Sequence, residues 1–231
     1  MDQFCHSVSH DLKSPIQVIK QLADLLREEL SCIPGGINGD LEAILSRLDG
    51  KCLQTEAMIG RLLEFSHMIT LNYHPESLNA AGIVREVFEE LSGLEPERDI
   101  ILTMDQTSAP LIDGDFTLLR LLFQNILGNA IKFTRGRKHA QISFSSRQTP
   151  SRIIIELKDN GTGFDMDNSG RLFQVFERLH TQEEFEGSGV GLAISKRIME
   201  KHKGTISICG IPDKGTTVTL CFPASLPPDV S

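Results

Sequence analysis

The chain has 231 residues, 40% hydrophobic and 23% charged, enough to bury a core in one large domain or two ordinary ones. Acidic residues outnumber Lys and Arg 31 to 23, and the net charge of −8 excludes general nucleic-acid binding, which needs a basic face. It does not exclude a nucleotide, because backbone donors, a lysine and a metal ion suffice to hold phosphates.

The five cysteines (Cys5, Cys32, Cys52, Cys209, Cys221) are odd in number and never spaced C-x-x-C, so reduced thiols are expected. No apolar run approaches the roughly 18 residues that span a bilayer. The start, Met1 to His6, lacks the charged and apolar regions of a signal peptide. A soluble, cytoplasmic segment with no membrane contact of its own is expected. If it is a piece of a longer protein, an upstream sensor is where a membrane anchor would stand.

Leu12, Ile16, Ile19, Leu22, Leu25/Leu26 and Leu30 recur at three and four, which predicts a first helix ending at the breakers Ile33–Gly39. A second apolar series runs from Leu41 through Ile44/Leu45, Leu48, Cys52, Ile59 and Leu62/Leu63 to Ile69. Two long helices joined by a short loop make an antiparallel hairpin with little interior. Pairing two hairpins into a four-helix bundle covers the stripes, so a homodimer is expected.

After Asn72-Tyr73-His74-Pro75 the pattern changes. Helices are predicted over about 80–92, Asp115 to Phe133 and Gly189 to His202. Strands are predicted over Ile100–Met104, Gln141–Ser145, Arg152–Lys158, Thr205–Cys209 and Thr216–Phe222. Helices mixed with hairpin-like strands point to an α+β sandwich, one sheet covered by helices. The tail, Pro223–Ser231, is rich in Pro and Ser and expected to fray.

Four constellations carry chemistry. In Ser9-His10-Asp11-Leu12-Lys13-Ser14-Pro15 an imidazole stands beside a carboxylate able to orient it; taken alone this is also an ordinary surface pair. His6 and His10 have i, i+4 metal spacing but lack a third ligand nearby. Asn125 and Asn129 stand one turn apart on an apolar helix, with Lys132 close by. Such amides either bond to neighbouring backbone or ligate Mg²⁺ while the lysine meets phosphate. Asp159-Asn160-Gly161-Thr162-Gly163 follows a strand and reads either as a turn or as a carboxylate for a base amino group, its glycines admitting the ligand against backbone. Gly187-Ser188-Gly189-Val190-Gly191-Leu192 opens a helix and reads as a hinge or a phosphate cradle.

Together and in this order, the four blocks resemble the boxes of bacterial two-component sensor histidine kinases. His10 to Pro15 resembles the phospho-acceptor box, Asn125 to Thr134 the N box, and Asp159 to Phe164 the first glycine box. Leu172 to Leu179 resembles the F box, Gly187 to Leu192 the second glycine box, and Gly215-Thr216-Thr217 the closing G-T turn. Val175–Lys203 is particularly similar to kinases found downstream of PAS and phytochrome-type sensors.

The resemblance implies a dimerisation and phosphotransfer hairpin (1–74), then an ATP-binding α+β sandwich of the gyrase, heat-shock chaperone and histidine kinase type (75–225), and a flexible tail (226–231). It implies that His10 takes the γ-phosphoryl of ATP with Asp11 as its orienting partner. Asn129, supported by Asn125, would hold Mg²⁺, Lys132 would meet phosphate, and Phe133 would pack on the base. Asp159 would read the adenine amino group beside Gly161 and Gly163. Arg178 would contact the γ-phosphate, and Gly187, Gly189, Gly191, Leu192 and Thr216 would line the nucleotide. Residues 165–187 would form a lid. In the related ATPases a glutamate one turn before the Mg²⁺-binding Asn activates water; here that position is Asn125, which cannot act as a base. The phosphoryl group would pass to an aspartate of a response-regulator receiver domain. Ser14 occupies the position that, as Thr or Asn, orients water for dephosphorylating that partner. A pseudokinase that binds ATP without transferring phosphate is the alternative.

Overall fold

The structure, a computed structural model, describes residues 2–31, 39–70, 73–105, 110–166, 172–174 and 189–224; for 2–14, 31, 54, 57, 58 and 61–70 it describes backbone alone. The chain divides into two compact units, Met1–Asn72 and Tyr73–Ser231.

The first unit is a pair of helices, α1 (Asp2–Ser31) and α2 (Gly39–Thr70). Pro15 lies inside α1, which continues through it. Leu45, Cys52 and Ile59 on α2 are buried, one every seven residues, with Ala23 buried on α1. That spacing is the seam of a helix pair that packs side by side. Arg27 crosses the seam, donating to Glu42 (3.3 Å) and Asp49 (2.9 Å) on α2 and to Asp24 (3.3 Å) on its own helix. Arg27 thereby ties α1 to α2 at two positions, Glu42 and Asp49. The seam leaves Val18, Leu22, Leu25 and Leu26 of α1 and Ile44 of α2 at least half exposed.

The second unit starts with a ribbon the sequence did not reveal. β1 (Glu76–Asn79) pairs antiparallel with β3 (Leu111–Gly114), Leu78 opposite Ile112. Each strand leads directly into a helix and supplies or precedes its cap. Asn79 Oδ1 accepts from Gly82 N–H at the start of α3 (Ala80–Gly93). Asp115 Oδ1 accepts from Leu118 N–H at the start of α4 (Phe116–Phe133), and Oδ2 accepts from His74 N–H. These bonds satisfy donors that a helix start leaves orphaned.

The main sheet has the order β2-β4-β5-β7-β6, with β2 (Ile100–Met104), β4 (Ala140–Gln148), β5 (Arg152–Asp159), β6 (Thr205–Ile211) and β7 (Gly215–Pro223). β2 and β4 are parallel, joined through β3 and α4; the other neighbours are antiparallel. Ile142, Phe144, Ile153, Ile155, Leu157, Val218, Leu220 and Phe222 form one buried face at a period of two. Leu118, Leu119, Leu122, Phe123, Ile126, Leu127, Ala130 and Ile131 of α4 form the complementary stripe at helical period. α5 (Gly191–Lys201) adds Ile194, Ile198 and Met199. Gln141, Ser143 and Lys158 point to the opposite, exposed face. The expected sandwich, one sheet covered by helices, is the architecture found. Among the described residues, no helix is long and apolar enough to cross a membrane, and Cys52, Cys209 and Cys221 are free thiols.

Candidate active site

α4 ends where β5 ends, and this coincidence builds the site. The helix carries Asn125, Asn129, Lys132 and Phe133 toward its C-terminus, and Asp159 is the last residue of β5. Thr162 N–H, in the loop after β5, donates to the carbonyl of Phe133 (3.1 Å). A side chain at position 161 would put its Cβ 2.7 Å from that carbonyl and 2.8 Å from Asp159 Oδ1, so only glycine fits.

Asp159 is buried, and Oδ1 accepts two backbone bonds, from Gly161 N–H (2.8 Å) and from Thr216 N–H on β7 (3.1 Å). Burial raises its pKa above the ordinary carboxylate value, and these two bonds pull the other way. With Oδ1 fixed from both sides, Oδ2 is the oxygen left to receive a donor from a ligand. The G-T turn matters for the same reason: Gly215 has φ +105°, and a Cβ there would lie 1.9 Å from the Asp159 carbonyl.

The second glycine block meets α4 from the other side. A Cβ on Gly191, the first residue of α5, would lie 3.1 Å from Asn125 Oδ1, while Asn125 Nδ2 is buried without a hydrogen-bond partner. Val190, at the cap position, makes no side-chain bond to the helix, so the first N–H groups of α5 are not capped from within. Gly189 precedes them at φ +69°. Lys132 Nζ sits 4.0 Å over the Phe133 ring centroid, a cation–π contact that pairs two residues expected to serve phosphate and base separately.

The structure thus brings Phe133, Asp159, Gly161 and Thr216 into one set of contacts and Asn125 and Gly191 into a second along α4, with Asn129, Lys132, Gly163, Gly189 and Leu192 on or beside the same elements. Asn129 and Leu192 are half-buried. His10, Asp11 and Ser14 lie on α1, with side chains outside the described residues, as are Arg178 and Gly187 altogether. Most of the expected lid, 165–187, falls outside them as well.

Family comparisons cover both units. Residues 114–226 match the histidine kinase-, DNA gyrase B- and HSP90-like ATPase family, and residues 1–70 match the His Kinase A phospho-acceptor domain. The chain belongs to the histidine kinases. It is 30% identical over 96% of its length to the methanogenesis regulatory histidine kinase FilI of Methanothrix harundinacea, covering 24% of that protein. It is 30% identical over 94% of its length to the signal transduction histidine-protein kinase AtoS of Escherichia coli, covering 34%. The chain therefore spans about a quarter of one of these curated relatives and about a third of the other. Full-length ShkA, crystallised with AMPPNP, shares the fold at TM-score 0.68 and 21% identity, over 97% of this chain and 46% of that one.

Three residues of this histidine kinase core escaped the sequence reading. Thr134 is fully buried, its hydroxyl donating back to Ala130 O (2.8 Å) with Ile131 O at 2.9 Å. Arg98 donates to Ile131 O (3.0 Å) and Thr134 Oγ1 (3.2 Å), satisfying one carbonyl and the hydroxyl at the end of α4. Arg137 donates to backbone carbonyls of the loop after β5. Only Thr134, closing the block Asn125 to Thr134, carried a signal; Arg98 and Arg137 stand outside every block.

Proposed function

We propose that this chain uses ATP to phosphorylate His10 and passes the phosphoryl group to an aspartate of a response-regulator receiver domain. The observation that carries this reading is the Asp159 carboxylate, buried and fixed by two backbone amides at the foot of the glycine-rich elements. Adenine offers an amino group to such an acceptor, whereas guanine presents a carbonyl there, so the site favours adenine. Phe133 supplies a ring for the base, and Lys132 is one residue away to meet phosphate charge.

At the opposite side of the pocket, the uncapped start of α5 suits phosphate oxygens. The unpaired Asn125 Nδ2 is a buried donor whose cost an anionic oxygen would relieve. Among the described residues, no group of three or more His, Cys, Asp or Glu gathers to cage a metal. The donors present are the amide oxygens of Asn129 and Asn125. These suit Mg²⁺, a hard cation that typically shares its ligands between protein and phosphate. When bound, Mg²⁺ neutralises phosphate charge.

In the proposed reaction, an imidazole nitrogen of His10 forms a bond to the γ-phosphorus as the bond to the β,γ-bridging oxygen breaks, and ADP leaves. Asp11 accepts a hydrogen bond from the other ring N–H and stabilises the charge that develops on the ring. Arg178 contacts the γ-phosphate. Position 125 carries an amide where the hydrolysing relatives carry a glutamate, so water lacks a base there and the histidine is favoured as acceptor. Phosphatase activity toward the regulator, through the Ser14 hydroxyl, is part of the proposal. The apolar stripe left open on α1, with Leu22 58% and Leu25 55% exposed, supports a homodimer through the hairpin.

Incubation with γ-labelled ATP tests the reading. Acid-labile, base-stable label is expected in the chain and absent from His10→Gln. No label, or acid-stable label that persists in His10→Gln, would overturn it.

A further inference from the structure

We infer that Arg137 is a positioning residue for the nucleotide base: it holds the two peptide planes that hold Asp159 and Phe133. The inference rests on the base-pocket reading above and adds to it the residue that sets how sharply the pocket selects adenine.

Arg137 follows the turn after α4, its own N–H bonded to the Thr134 carbonyl (2.9 Å). Its half-buried guanidinium donates to three backbone carbonyls: Nε to Asn160 O (2.8 Å), and one terminal nitrogen to Gly161 O (2.9 Å) and Asp213 O (2.6 Å). None of these is a carboxylate, so among the described residues backbone carbonyls and not an ion pair account for the side chain's placement. A guanidinium is a planar fork of donors, suited to fixing several acceptors at once.

The identity of the carbonyls is the decisive point. In a trans peptide the C=O and N–H of one plane point in opposite directions, and the described chain has no cis bonds. The plane whose oxygen is Asn160 O ends in Gly161 N–H, which donates to Asp159 Oδ1 (2.8 Å). The plane whose oxygen is Gly161 O ends in Thr162 N–H, which donates to Phe133 O (3.1 Å). Arg137 therefore grips one end of each plane, and a base-pocket residue is gripped by the other end. A cationic donor at the oxygen polarises the peptide and strengthens the bond its N–H makes.

The third contact closes the frame. Asp213 N–H donates to Thr162 O (2.7 Å), so the β6–β7 turn is tied to the same loop, and Thr216 just beyond it supplies the other bond to Asp159 Oδ1. Both donors to the carboxylate thus come from segments that one side chain clamps together. Losing the clamp frees Gly161 N–H and Thr216 N–H to drift, and Oδ2 loses its fixed direction. Selectivity should suffer more than phosphate affinity, because among the described residues Arg137's guanidinium bonds are to Asn160, Gly161 and Asp213, and none is to Asn125, Asn129 or the start of α5.

The test uses the 231-residue chain and its Arg137→Ala, Arg137→Lys and Asp159→Asn variants, with calorimetric affinities for ADP and GDP. Arg137→Ala is expected to weaken ADP at least ~10-fold and GDP much less, narrowing the ADP/GDP ratio, at a tenfold per roughly 1.4 kcal/mol. Arg137→Lys, which carries charge and donors but no planar fork, should restore part of that ratio and a melting curve close to the parent's. If Arg137→Ala does not fold, Arg137→Lys with a narrowed ratio still supports the inference. An unchanged ratio in Arg137→Lys then overturns it. In a folded Arg137→Ala chain, an unchanged ratio, or equal losses for both nucleotides, assigns the residue to general stability and overturns the inference. Failure of the underlying reading looks different: Asp159→Asn would then bind ADP like the parent, and both proposals would fall.

Discussion

The backbone N–H of Asp115 donates to Nε2 of His202 across 3.0 Å, joining the start of α4 to the end of α5. The ring's Nδ1 lies 2.8 Å from Ile198 O and can bond there only as a donor, so the imidazole is neutral with its proton on Nδ1. The ring is buried, with Tyr73 edge-on at 5.1 Å and Phe222 at 6.1 Å between centroids. Gly114 exists to admit it: a Cβ there would lie 2.8 Å from the ring.

A pH dependence follows. Burial pushes the His202 pKa below 6.5, assisted by Lys201, while the Ile198 carbonyl and the Asp115 carboxylate push it up. The unfolded chain therefore takes up a proton first as pH falls. The stability this histidine contributes is complete above pH 6.5 and declines below it, down to the lowered folded value. His202→Phe keeps a ring but removes the acceptor, leaving Asp115 N–H unpaired at a cost of about 1–3 kcal/mol. Urea unfolding between pH 5 and 8 should show a smaller pH slope in the variant; equal slopes would reject the assignment.

Asp159→Asn separates folding from binding. The amide oxygen can still accept from Gly161 and Thr216, and a neutral group is easier to bury than the carboxylate whose pKa burial raises. The melting temperature should be unchanged or higher. The amide nitrogen would face the adenine amino group donor to donor, so ADP affinity should drop by on the order of 10²-fold. Calorimetry and a thermal melt on one sample check both halves.

Glycines divide by what a methyl would meet. At Gly215 it would collide with the Asp159 carbonyl at 1.9 Å, at a φ of +105° that other residues avoid. Gly215→Ala should cost ~3 kcal/mol or more. Gly128, inside α4, has no atom within 4 Å of a built Cβ. Gly128→Ala should stabilise by roughly 0.5–1 kcal/mol through helix propensity. Chemical denaturation of both variants gives opposite signs if these contacts are right.

How far the sequence led can be judged residue by residue. Leu118 through Ile131 announced α4, and the alternation of Ile153, Ile155 and Leu157 announced β5, because long periodic runs carry their burial in their pattern. Asp159 and Gly161 were legible as a pair because one of their bonds, Gly161 N–H to Asp159 Oδ1, is local, while Thr216 and Phe133 are distant in sequence. The ribbon was not: Glu76–Asn79 and Leu111–Gly114 each offer only four residues, and their pairing spans a helix and a strand. The gap between the strands expected over Thr205–Cys209 and Thr216–Phe222 shrank, since Gly210 and Ile211 extend β6 and Gly215 begins β7. Arg137 and His202 were silent because their partners are carbonyls and amides up to 87 positions away.

The open stripe on α1 gives a further expectation. Leu22→Glu with Leu26→Glu puts charge on a face that is at least half exposed in the isolated hairpin. Neither side chain belongs to the buried seam of Ala23, Leu45, Cys52 and Ile59, so helix content should persist. Sedimentation should shift from dimer to monomer, with like charges meeting across the apposed stripes. A variant that stays dimeric would move the interface elsewhere.

Strand order has a consequence for synthesis. β7 is the final strand along the chain, yet it lies in the interior of the sheet, between β5 and β6. While a ribosome is still making residues 215–223, β5 has an unpaired edge and Ile153, Ile155 and Leu157 lack neighbours on one side. The helical hairpin is a compact unit of its own, all of whose residues precede the sheet in the chain. The nucleotide pocket, whose Thr216 amide arrives with that last strand, is completed late. The order of synthesis thus places both helices of the hairpin ahead of the last amide that fixes Asp159.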